Sequence, residues 1–130
     1  MMIPAKDSLD IGLVVSDGRA SLEFYQDVLG LRLVETMTMT SGTMHRLRFG
    51  TSELKLVELE ATPPRGTVGL GRQLGFRYVT FAVTNLSELC ERLRGLGVEF
   101  SVPEKEIRPG VRIAMVKDPD GNIVEFSERE

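Results

Sequence analysis

Two glutamates, an aspartate and a tyrosine are the residues of this chain whose types and spacing could do chemistry. Glu125 follows the turn Asp118-Pro119-Asp120-Gly121, in the run Asn122-Ile123-Val124-Glu125-Phe126. Glu58 holds the matching place about half the chain earlier, at the end of Phe49-Gly50-Thr51-Ser52-Glu53-Leu54-Lys55-Leu56-Val57-Glu58. Asp10 and Tyr78 form a second matched pair: Asp10 precedes Asp17 by the same interval at which Tyr78 precedes Asn85, and both followers are helix-capping types. Three carboxylates facing one cavity would raise one another's pKa, so an empty cavity would hold protons rather than three charges. A hard divalent cation (Mg²⁺, Mn²⁺ or Ca²⁺) would relieve this with oxygen ligands. Arg46, Arg48 and Arg112 could do so as cationic neighbours, and a cationic ligand is a third route. His45, the one imidazole, is a candidate substrate contact. Cys90, the one thiol, falls on a core stripe and reads as packing.

The elements that must position these residues come in two similar sets. Leu9–Val15 reads as a strand, and Asp17 caps a helix in which Leu22, Tyr25 and Leu29 recur at helical spacing until Gly30 ends it. Strand-like runs follow at Leu31–Met39, Met44–Phe49 and Leu54–Leu59. Ala61–Gly75, with two prolines and four glycines, reads as a linker. The order then restarts: strand Tyr78–Val83, cap Asn85, a helix lined by Leu86, Leu89, Cys90, Leu93 and Leu96, a short strand Val98–Val102, and the closing hairpin. This internal repeat of β-α-β-β-β predicts an α+β protein, with module one over about 8–60, a linker over 61–75 and module two over about 76–128. Two such modules make a curved eight-stranded mixed sheet with its helices on the outer face. Side-chain alternation sends Leu9, Ile11, Leu13 and Val15 toward the helix, leaving Asp10, Gly12 and Val14 opposite. Glu58, Tyr78 and Glu125 are expected on the same helix-free side as Asp10, where a cup would bring the four together.

Composition removes several function classes. A net charge of −3 in 130 residues argues against nucleic acid or an anionic membrane as the main partner. No apolar run has the length of a membrane span, and the first residues lack a signal-peptide core, so a cytoplasmic protein is expected. A single cysteine excludes an internal disulfide and any thiolate-rich metal centre.

The paired modules, together with Val15-Ser16-Asp17, Phe24-Tyr25, Leu29-Gly30-Leu31 and the ending Asp118-Pro119-Asp120-Gly121-Asn122-Ile123-Val124-Glu125, resemble the vicinal oxygen chelate superfamily. This group holds glyoxalase I, methylmalonyl-CoA epimerase, extradiol dioxygenases and bleomycin- and fosfomycin-resistance proteins. The resemblance implies one metal in the cup, held by one residue from the first and one from the last strand of each module. Matched onto this chain, those positions are Asp10, Glu58, Tyr78 and Glu125. Aspartate and tyrosine stand where the family often has histidine, so a two-histidine, one-carboxylate iron site cannot be assembled, and a dioxygenase is disfavoured. The resemblance implies a homodimer acting on a small molecule. One expectation is a lyase or isomerase in which Glu58 and Glu125 move a proton beside a carbonyl, with Asp10, Tyr78, His45, Arg46, Arg48 and Arg112 as substrate contacts. The alternative is a metal-free protein that binds a drug or metabolite.

Overall fold

The computed structural model describes residues 1–130 and divides them into two compact units, Met1–Pro64 and Arg65–Glu130. Each unit is one α+β module with its own four-stranded mixed sheet. The hydrogen-bonded ladders are therefore two sheets of four strands rather than one of eight.

In the first unit, β1 (Ile11–Val14), β2 (Arg32–Met39), β3 (Gly42–Phe49) and β4 (Ser52–Leu59) stand in the order β1-β4-β3-β2. β1 runs parallel to β4, with Gly12 opposite Lys55 and Val14 opposite Val57; the other neighbours are antiparallel. Asp17 caps α1 (Gly18–Leu22) by accepting a hydrogen bond from Ala20 N at 3.1 Å. The helix continues through a π-helical stretch, Glu23–Val28, where Leu29 N reaches back five residues to Phe24 O. Gly30, with φ of +89°, then lets the chain turn back, so that Leu31 N bonds Tyr25 O. Phe24 and Tyr25 pack edge to face at 5.0 Å, and both are buried with Val15, Leu47, Leu54 and Leu56.

In the second unit, β5 (Tyr78–Ala82), β6 (Phe100–Arg108), β7 (Val111–Lys117) and β8 (Ile123–Arg129) repeat the plan in the order β5-β8-β7-β6. α2 (Leu86–Gly95) buries Leu86, Cys90 and Leu93, and Phe81 stacks on Phe126 beneath them. Burial raises the Cys90 thiol above its ordinary pKa, which suits a packing role. Asn85 occupies the cap position of α2 without a side-chain cap bond. The strand expected to end at Val102 runs to Arg108, because the ladder breaks between Val102 and Lys105 and so steps past Pro103, which has no N–H to donate.

The β7–β8 turn is organised by Asp118. Its backbone N–H bonds Asn122 O at 2.9 Å, and its carboxylate accepts from Asp120 N, Asn122 N and Asn122 Nδ2 at 2.8–3.0 Å. Gly121 supplies the positive φ of +86° on which the turn closes.

Candidate functional site

Register decides which carboxylates can act. In β4 the buried residues Leu54 and Leu56 lie under α1, and Glu58 follows them on the same side. Its Oε2 accepts a hydrogen bond from Gly18 N, the first residue of α1, at 2.8 Å. A methyl group at Gly18 would come within 3.0 Å of Glu58 Oε1, so a glycine is what lets the carboxylate reach the helix end. Glu58 therefore sits on the helix side and not on the helix-free side expected for it. It is a capping carboxylate at the positive end of α1.

The second unit builds the same cap from a different glutamate. Glu128 Oε1 accepts from Leu86 N, the first residue of α2, at 3.0 Å. The partner of Glu58 in the repeat is thus Glu128 and not Glu125. The same alignment matches Glu125 to Lys55: Gly12 pairs with Lys55 just as Thr80 pairs with Glu125. The first strands remain related as the spacing indicated, Asp10 to Tyr78. The last strands follow a longer interval, because β8 lies two positions farther along the chain from β5 than β4 lies from β1.

Glu125 itself lies on the helix-free side of its sheet, opposite in parity to the buried Val124 and Phe126. Thr80 donates its hydroxyl to Glu125 Oε1 at 2.8 Å, which aims the carboxylate and leaves Oε2 able to accept a proton. Tyr78 shares this side two residues back along β5 and is 53% exposed. Met115 stands across from Glu125 on β7. Arg112 is on the other side: it pairs with Glu104 and Glu128 (2.8 Å) and donates to Ser87 Oγ at 2.9 Å, all next to α2. An arginine saturated by two glutamates beneath a helix is not placed to meet a substrate.

In the first unit, Asp10 braces the chain ahead of β1. Its Oδ1 accepts from Lys6 Nζ at 2.6 Å and from Glu53 N at 2.9 Å, and the Lys6 contact leads in holding its carboxyl below the ordinary value. His45 pairs in register with Leu56 on the helix side, its Nδ1 2.8 Å from Thr36 Oγ1. Arg46 and Arg48 lie on the helix-free side, in register with Lys55 and Glu53. Arg46 grips Glu53 and, at 2.7 Å, Glu35. This contact holds the Glu53 carboxyl below its ordinary pKa. A shallow depression of about 300 Å³ beside Glu58 is lined by Gly42, Thr43, Leu59, Glu60 and Thr62, without a cation.

The donor set for a metal can be tested on this register. The positions that correspond between the modules are Asp10, Lys55, Tyr78 and Glu125. An ammonium has no lone pair to give, and Asp10 already serves Lys6. Asp10 and Glu125 are the only carboxylates of the four, they belong to different units, and no three His, Cys, Asp or Glu side chains gather as a metal would need; the residues present do not fit one. Lys55 and Thr80 are the site residues that sequence reasoning missed. Only the register of β1 on β4 and of β5 on β8 singles them out.

Comparison with known proteins sets this geometry beside its relatives. The model of the Glyoxalase/Bleomycin resistance protein/Dioxygenase superfamily matches residues 9–126. Lactoylglutathione lyase of Haemophilus influenzae is 31% identical over 121 residues, covering 91% of this chain and 89% of that protein. The Pseudomonas aeruginosa protein of the same name is 30% identical, covering 88% and 77%. Among solved structures, SMU.1112c superposes with a TM-score of 0.84 at 24% identity, covering 96% and 100%. TnmS3, an antibiotic-binding protein from Streptomyces sp. CB03234, superposes with a TM-score of 0.71 at 23% identity, covering 98% and 100%.

Proposed function

The chain belongs to the glyoxalase/bleomycin resistance protein/dioxygenase superfamily, and from that premise we propose that it isomerises a small organic molecule beside a carbonyl, with Glu125 as the proton-moving group. The observation that carries this reading is the Thr80–Glu125 hydrogen bond on a helix-free strand face. A carboxylate fixed by one oxygen can take a proton from the carbon next to a carbonyl and return it to the neighbouring carbon. Such a positioned base contributes about 10²–10⁴-fold to rate. Glu58, given to α1, has no part in the transfer. The donor set argues for a reaction carried by the chain's own groups, without a resident divalent cation.

The thiohemiacetal of a 2-oxoaldehyde with glutathione, which isomerises to a lactoylglutathione-type thioester, is the first substrate to assay, because relatives carry the name lactoylglutathione lyase. Glu125→Gln is expected to lower kcat about 10²-fold or more while the melting temperature stays nearly the same. Unchanged turnover in that variant would remove Glu125 from the chemistry. The second reading, a protein that sequesters its ligand, is favoured by the presence of only one well-aimed carboxylate. It predicts saturable binding with no product.

A further inference from the structure

The helix-free face of the first unit carries two cations beyond those its acids pair: Arg32, exposed on β2 opposite Arg48, and Lys55. Lys6 is held by Asp10 at 2.6 Å, Arg46 by Glu35 and Glu53, and Arg48 reaches Glu53 at 3.7 Å. Lys55, half-buried on β4 between Gly12 and Arg46, enters none of these ion pairs. Its charge reaches Asp10 only as the least of the influences on that carboxyl, which Lys6 already holds. Space is available beside it. Gly12 has no side chain, and a Cβ built there would meet nothing within 4 Å. Farther along the same face, Val14 is 54% exposed and lies in register with Val57, which in turn faces Met44. Arg48 adds a second unmet donor: its Nε is buried and has no hydrogen-bond partner. A surplus ammonium, a gap and an apolar strip in a row are the parts of a site for an amphiphilic anion.

We propose that this face binds a small organic carboxylate, its headgroup on Lys55 Nζ above Gly12 and its apolar portion along Val14, Val57 and Met44. The proposal rests on the reading of helix-free faces as the ligand-facing ones, and it assigns the ligand's charge. A lysine here does for a carboxylate what a metal does for an oxyanion, as a point charge that needs no acidic ligands.

Titration of the full chain with pentanoate and with its uncharged twin pentanamide, followed by backbone amide chemical shifts, tests this. Pentanoate is expected to move the Gly12, Val14, Lys55 and Val57 signals, and pentanamide to leave them in place. Lys55→Gln should weaken pentanoate binding about 10-fold, a change on the scale of one lost charged contact, and Lys55→Arg should retain most of it. Gly12→Val, whose Cβ meets no atom within 4 Å, should fold normally and block the site. Equal shifts with both probes, or undiminished binding in Lys55→Gln or Gly12→Val, would overturn the proposal. Loss of the Lys55-dependent shifts with Glu125-dependent turnover intact sinks this inference alone; the reverse result sinks only the proton-transfer reading.

Discussion

At the scale of single residues, two glutamates that look alike in the sequence do different work. Glu58 accepts from the first backbone N–H of α1, whereas Glu125 accepts only from a threonine hydroxyl. A side chain that satisfies a helix-end donor contributes about 1 kcal/mol to stability. Glu58→Ala is therefore expected to lower the unfolding free energy by about that amount and to leave turnover intact, as a urea titration alongside the isomerase assay would show. An inactive but fully stable Glu58→Ala protein would restore Glu58 to the chemistry. Gly18 belongs to the same arrangement, because any larger residue there crowds the Glu58 carboxylate.

At the scale of elements, the helix in each module is tied to its own last strand by a glutamate, Glu58 or Glu128. The second module adds Arg112, which joins β7 to Glu104 on β6 and to Glu128 on β8. Both acids are about four-fifths shielded, so losing the guanidinium leaves two carboxylates close together with little solvent to screen them. Arg112→Ala should cost about 1–3 kcal/mol in chemical denaturation without changing ligand affinity. A change in affinity with stability preserved would instead mark Arg112 as a substrate contact. The face of a strand was readable only in part. Val15 is buried as alternation indicated, but Leu54-Lys55-Leu56-Val57-Glu58-Leu59 has apolar residues of both parities, and the helix chose Leu54 and Leu56.

For the whole molecule, acid stability follows from the charged face of the first unit. Glu53 is held below its ordinary pKa of 4.5 chiefly by its hydrogen bond from Arg46, and Asp10 below 3.8 chiefly by Lys6. A folded-state pKa below the unfolded value means that stabilisation is fully present above about pH 4.5 and is lost as pH falls through the folded value. The acid limb of a stability curve should accordingly be shallower in Glu53→Gln than in the wild type, at lower plateau stability. Parallel acid limbs would show that the Arg46–Glu53 contact is not linked to folding. No helix is long and apolar enough to cross a membrane.

Length, periodicity and punctuation in the chain by themselves determined the two β-α-β-β-β modules, the cap at Asp17, the glycine stop at Gly30, and the Asp118-Pro119-Asp120-Gly121 turn. These are local properties, set by side-chain size, φ preference and apolar spacing over short stretches of chain. Only the tertiary structure decided which glutamate answers to which. Spacing along the chain joined Glu58 to Glu125, but hydrogen-bond register joins Glu58 to Glu128 and puts Lys55 in the place of Glu125. Register depends on how two strands distant in sequence align their N–H and C=O groups. A shift by an odd number of positions reverses the face, because side chains alternate with a period of two. Glu58 and Lys55 are three positions apart, so one glutamate went to a helix end and a lysine was left on the helix-free side.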